Sequence, residues 1–280
     1  MHVSKKFLFC LLLMTSTTCF GKTIIWDVGD TLFTTSKLGV AYSIGFTHFI
    51  AYMLLDWRNP NIYPIIFDIL EKMDPSDSYP HEKATDFKGN PLPIVMHKWL
   101  AGKIEEKELL VSINDYLEKL DAQHYFVSER EKNLLKRAFE VMFNPQILAR
   151  YTYPLAKGIQ LLRDCAEAKD TNGELKNTLM ILSNWDAVSF NLVQQHYPDI
   201  FNYFNTHHIV ISGAIGLIKP HVAAFEYIIN TCKLNPADCI FIDDQSVNVR
   251  AAATCGITGI LLVNGNYTAL REQLKELNVL

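Results

Sequence analysis

No stretch of this chain is apolar for long enough to cross a bilayer as a mature helix, so a bundle of spanning helices is not its architecture. No basic stripe stands out, and a formal net charge of -4 gives no reason to expect a nucleic-acid surface. Internal repeats and low-complexity tracts are missing, which sets aside solenoids and disordered linkers. No Cys-x-x-Cys pair and no Cys/His cluster has zinc-ligand spacing. What is present is 280 residues, 49% hydrophobic and 20% charged. That is enough for one full core and a smaller attached domain.

The first residues have a composition of their own. Met1 to Gly21 runs from two lysines through an apolar stretch, Phe7 to Met14, to small and polar residues. This is the order of a secretory signal, so the mature protein is expected to start near Lys22 and to be periplasmic or secreted. A buried first strand or helix is the alternative, and the polar run after Met14 fits it badly. Ser16-Thr17-Thr18-Cys19 is a poor lipoprotein cleavage box, so no lipid anchor is expected. Cys10 and Cys19 leave with the signal, and Cys165, Cys232, Cys239 and Cys255 remain. In an oxidising compartment these form disulfides, with Cys232 and Cys239 nearest in sequence, or stay as buried thiols. Both readings stay open.

After residue 21, short apolar runs alternate with helical patterns. The runs are Thr23 to Trp26, Thr178 to Leu182, His208 to Ile211, Cys239 to Ile242 and Gly259 to Val263. Helical periodicity covers Leu155 to Ala168, Ala187 to His196, Val222 to Cys232 and Val247 to Cys255. Such alternation predicts an α/β fold, a doubly wound parallel Rossmann-like sheet, whose ligands bind beyond the carboxyl ends of the strands. Asp27, Ser183 and Asp243 stand at such ends, and Lys219 follows in a loop. Residues 36–151 lack the strand rhythm. Helical patterns there cover Gly39 to Leu55, Ile62 to Met73, Ile94 to Ala101, Glu105 to Leu120 and Ser128 to Met142, with a loop from Asp74 to Pro93. The expected organisation is a core of residues 22–35 and 152–280 with an inserted α-helical cap over 36–151.

Taken singly, each polar residue has a bland explanation. Asp27 or Asp30 after a strand is usually a turn or cap residue, Ser183 and Asp243-Asp244 are helix-cap chemistry, and Lys219 before proline is usually solvated. The histidines, including His207-His208, call for no chemistry. Together, the ordered set Asp27-x-x-x-Thr31-Leu32, Ser183-Asn184, Lys219-Pro220 and Asp243-Asp244 resembles the four motifs of the haloacid dehalogenase-like (HAD) hydrolase superfamily. The inserted helical block resembles that superfamily's cap. The resemblance implies that Asp27 is a nucleophile forming a covalent aspartyl intermediate, later hydrolysed by water. It implies that Ser183, Asn184 and Lys219 hold the phosphoryl oxygens, with Lys219 also catalytic. It further implies a Mg²⁺ site made by Asp27, the Gly29 carbonyl, Asp243 and Asp244, since adjacent carboxylates repel and a hard cation relieves them.

Position 29 departs from the pattern. Phosphatases of the superfamily usually carry there the aspartate that protonates the leaving group, and losing a general acid costs about two to four orders of magnitude in rate. The resemblance also extends to sugar-1-phosphate phosphatases and the phosphatase domain of epoxide hydrolases, through Asp243-Asp244-x-x-x-Asn248. Three functions are compatible with these residues. The first is a Mg²⁺-dependent phosphohydrolase acting on a small phosphorylated metabolite, favoured by Asp243-Asp244. The second is a metal-independent 2-haloacid dehalogenase-like hydrolase, favoured by Gly29. The third is a catalytically impaired binding or effector protein, favoured by Gly29 and export.

Overall fold

The computed structural model of the protein describes residues 21–74, 83–86 and 89–280. The segment expected to be a secretory signal, apart from Gly21, lies outside the described residues. In chain order the first elements are β1 (Lys22–Trp26), β2 (Phe33–Thr35), α1 (Lys37–Ile44), α2 (Phe46–Leu55), α3 (Tyr63–Met73) and α4 (Ile94–Leu100). Then come α5 (Glu106–Ala122), α6 (Glu129–Met142), α7 (Pro145–Tyr151), β3 (Thr152–Pro154), α8 (Ala156–Glu167), β4 (Asn177–Ser183) and α9 (Ala187–His196). The remainder is α10 (Pro198–Phe201), β5 (Ile209–Ile211), α11 (Ser212–Ile215), α12 (Val222–Cys232), β6 (Cys239–Asp243), α13 (Ser246–Thr254), β7 (Thr258–Leu261) and α14 (Tyr267–Glu276).

Five strands form one parallel sheet in the order β5-β4-β1-β6-β7, with β1 at its centre. The central strands are apolar on both faces because both faces are covered. Ile24 and Trp26 pack into one cluster with Leu162, Ile181 and Leu274, whereas Ile25 joins Met180, Phe225 and Phe241 on the other side. That two-residue alternation places α8, α9 and α14 on one face and α12 and α13 on the other.

The helices between β2 and β3 have a separate apolar centre. On α5, Leu109, Ile113, Leu117 and Leu120 recur at helical spacing and meet Leu134, Leu135 and Phe139 of α6. Each such side chain, fully buried, stabilises this centre by about 1.5–3 kcal/mol. The chain enters and leaves this block through an antiparallel ribbon, Phe33 opposite Pro154 and Thr35 opposite Thr152. Three-residue strands carry too little periodicity to be read from sequence, and this ribbon was not expected. The long helix expected from Gly39 to Leu55 is two helices. Gly45, at φ +107°, donates its N–H to the Ala41 and Tyr42 carbonyls, and the axis turns by 76° there. No single described helix is long and apolar enough to cross a membrane. The four described cysteines are free thiols, so the disulfide alternative is not realised.

Candidate active site

β1 delivers Asp27 to the carboxyl edge of the sheet. Its N–H still donates to the Ile242 carbonyl at 2.9 Å, so the ladder holds the residue that the turn would otherwise release. The chain then folds back, with the amides of Leu32 and Phe33 both donating to the Val28 carbonyl at 2.9 Å. Asp30 takes a left-handed conformation in this turn, φ +49°, and its carboxylate accepts from Thr34 Oγ1 at 2.5 Å. Asp30 is thus a turn residue here.

Three loops bring the remaining groups to Asp27. Ser183, at the end of β4, donates its hydroxyl to Asp27 Oδ1 at 2.9 Å. Lys219 is 1% exposed, and its ammonium donates at 2.7 Å to both Asp27 Oδ1 and Asp243 Oδ2, 5.0 Å from the Phe241 ring centre. Burial by itself would strip that lysine of its proton. The charges of Asp243 and Asp27 outweigh burial and hold its pKa above the ordinary value. Asn184 does not reach across the cleft. Its side-chain amide donates to the Lys219 carbonyl and its oxygen accepts from the Lys219 N–H, each at 2.8 Å. It therefore acts on the site by bracing the backbone that carries the lysine.

Asp243 is fully buried and receives bonds from the Gln245 N–H at 2.7 Å and from Asn248 Nδ2 at 3.0 Å and 3.1 Å. Burial raises its pKa, and Lys219 offsets only part of the effect. Asp244 is pushed up to about 8, by burial first and then by the charges of Asp27, Asp243 and Asp30. One ammonium facing three carboxylates leaves the cluster short of positive charge. Asp27, Asp243 and Asp244 each present an oxygen within 4.8 Å of the others. An all-oxygen, net-negative donor set of this kind suits a hard divalent cation.

Position 29 is open. A Cβ built there would meet only Asp27 Oδ2, at 3.9 Å. Beside it lies a cavity of about 510 Å³ between the turn, β2, α1 and Trp185. The helical block is pinned over this edge by two polar links, Ser212 Oγ donating to the Leu100 carbonyl at 2.7 Å and Thr85 Oγ1 to Gln245 Oε1 at 2.9 Å. The sequence reading named Asp27, Gly29, Ser183, Lys219, Asp243 and Asp244, and the structure brings all six together. Asn248 was read as part of the Asp243-Asp244-x-x-x-Asn248 pattern but given no role at the site, and Trp185 was missed. Asn248 lies in the first turn of the helix after Asp243; Trp185 had no signal.

A parallel α/β core with a lysine-clamped carboxylate at its central strand, lying under a helical block, defines a capped, Rossmann-like α/β protein with its site at the carboxyl edge of the sheet. The haloacid dehalogenase-like hydrolase family matches residues 22–256, and the chain belongs to that family. Bifunctional epoxide hydrolase 2 of Rattus norvegicus is 28% identical over 97 residues, 34% of this chain but 17% of that relative's length. Among solved structures, a HAD family enzyme of Bacteroides thetaiotaomicron superposes with TM-score 0.55 at 15% identity, over 89% of this chain and 97% of its own. The same enzyme in complex with magnesium and inorganic phosphate gives 0.51 at 16% identity, covering 88% and 96%. A HAD-like family hydrolase of Porphyromonas gingivalis gives 0.51 at 17% identity, covering 91% and 98%. At these identities the likeness is one of fold.

Proposed function

We propose that the protein is a Mg²⁺-dependent phosphohydrolase that works through an aspartyl-phosphate intermediate on Asp27. The observation that carries this reading is the cluster of three carboxylates facing a single lysine. Carbon–halogen hydrolysis needs no cation, and without one Asp244 would stand as a third carboxylate in a cluster that holds a single ammonium. The magnesium and phosphate bound by the Bacteroides fold neighbour support the same reading.

Asp27, Asp243, Asp244 and the Gly29 carbonyl are the groups that would hold the ion. When bound, Mg²⁺ supplies positive charge against the anionic phosphoryl group. Ser183 and Lys219 hold Asp27 Oδ1, which leaves Oδ2, on the Gly29 side, to attack phosphorus. Lys219 also places a fixed positive charge where the transferring group carries its negative charge. A rival reading, a binding protein on the same scaffold, takes its support from Gly29 and from the expected export.

The test is a screen of phosphorylated compounds with and without Mg²⁺, repeated with Asp27→Asn. Turnover is expected to need the ion and to fall about a thousandfold or more in the variant, which should still fold by circular dichroism because Asp243 keeps Lys219 paired. Variant turnover equal to the parent's would rule out Asp27 as nucleophile. Ligand binding without turnover in the parent would favour the rival.

A further inference from the structure

The cavity beside Gly29 has a mainly apolar surface. Phe33, Val40, Ala41, Ile44 and Trp185 supply its apolar lining, and Asp30 and Lys37 are the charged residues beside them. Trp185 is held from three sides. Its Nε1 donates to Ser189 Oγ at 2.8 Å, its N–H donates to Ser212 Oγ at 2.9 Å, and its carbonyl accepts from the Gly213 N–H at 3.0 Å. The polar edge of the indole is thus committed to Ser189, and what it can offer the cavity is hydrocarbon. Gly213 keeps the loop tight, since a Cβ there would sit 2.5 Å from the Ala187 nitrogen and 2.8 Å from the Trp185 oxygen. The hydroxyls at the cavity edge are already engaged, Thr34 with Asp30 and Thr35 with Thr152 at 3.0 Å. A sugar ring placed here would lose water from several hydroxyls, for which only Asp30 and Lys37 offer charged partners. A flat apolar ring would lose nothing of the kind and would gain burial.

Gly29 points the same way from a different direction. With no side chain at 29 to give a proton, the departing oxygen must leave as an anion, which a phenolic oxygen does far more readily than an alkoxide. We propose that the substrate is a small aryl phosphate monoester, with its ring against Trp185 and α1 and its phosphoryl group on Asp27. This rests on the phosphohydrolase reading and narrows it to one leaving-group class. Asp27 Oδ2 bonds to phosphorus as the bond from phosphorus to the phenolic oxygen breaks. The electron pair departs with the phenolate, which takes a proton from water. A second water then bonds to phosphorus, the bond to Asp27 breaks to restore the carboxylate, and that water's protons pass to phosphate and solvent.

The experiment compares kcat/KM, with Mg²⁺ present, for acetyl phosphate, naphthyl phosphate, phenyl phosphate and glucose 1-phosphate. Acetyl phosphate has a good leaving group but no ring, so it reports the phosphoryl chemistry without the cavity. Naphthyl phosphate should exceed glucose 1-phosphate about tenfold or more, with phenyl phosphate between them. Trp185→Ala should lower the ratio of naphthyl to acetyl phosphate about tenfold. Ala41→Phe, which fills the cavity without removing packing, should lower the same ratio even if the tryptophan variant folds poorly. Turnover of acetyl phosphate with equal rates for naphthyl phosphate and glucose 1-phosphate would overturn the aryl assignment and leave the phosphohydrolase standing. So would a ratio unmoved in both variants. No turnover of any of the four would overturn both.

Discussion

A lysine buried between two carboxylates is stable only while all three charges are present, and this makes Lys219 a sensitive residue. Lys219→Met keeps the length and apolar stem but leaves Asp27 and Asp243 facing each other without a cation. Breaking a buried pair in this way typically costs about 3–5 kcal/mol, and urea unfolding of the variant should show a loss of that size. A midpoint equal to the parent's would mean the carboxylates have taken up protons at no cost. Gly29 is the opposite case, a position where a side chain can be added. Its Cβ meets only Asp27 Oδ2, so Gly29→Asp should fold, and the crowd of neighbouring carboxylates should keep the new group protonated. If the site is a phosphohydrolase, turnover of simple alkyl phosphates should rise about a hundredfold in that variant. Rates on alkyl esters that do not move would show that water or another residue already supplies the proton. Both residues were legible in the sequence because each stands at the end of an apolar run or in an ordered motif. Trp185 was not. Its place at the cavity depends on Ser189, Ser212 and Gly213 together, and no local pattern encodes such a meeting.

Element by element, most of the strongly periodic segments were read within a few residues of their structural bounds, and the errors came from short pieces and from one glycine break. The ribbon of β2 and β3 and the one-turn helices α10 and α11 carry too few residues to show a period. Gly45 divides α1 from α2 through its positive φ, a backbone property that hydrophobic spacing does not report. Within α4, His97 is buried, 3% exposed, near Lys83 and the Leu92 backbone. Burial, helped by the charge of Lys83 and opposed by the Leu92 backbone, lowers its pKa to about 4. The folded protein therefore keeps this imidazole neutral at pH values where the unfolded chain takes up a proton. Stability from this group is fully present above about pH 6.5, is lost as the pH falls, and levels off near pH 4, a change of order 3 kcal/mol. His97→Gln should flatten that part of the pH dependence. Urea denaturation of both proteins at pH 7 and pH 5 checks it, and parallel losses would exclude His97 as the cause.

For the whole molecule, β1 is both the first strand among the described residues and the centre of the sheet. Gly21 abuts the Lys176 carbonyl and Lys22 opens β1, so a chain starting at Lys22 keeps the central strand whole. We propose that the segment through Gly21 is removed on export, from its order of lysines, apolar run and small residues. Mass spectrometry of the exported protein should give a new N-terminus near Lys22, and an intact Met1 on fully active cytoplasmic protein would refute the proposal. The sequence by itself determined the parallel sheet and the set of charged residues at its edge. Apolar runs of strand length must be buried on both faces, and a carboxylate following such a run lies at the strand's end whatever surrounds it. Only the tertiary structure decided which oxygen of Asp27 is held, that Asn184 serves Lys219, and that the cavity beside Gly29 is apolar. Those outcomes depend on distances between loops more than thirty residues apart in the chain, which are set by how helices and sheet pack and not by any local pattern.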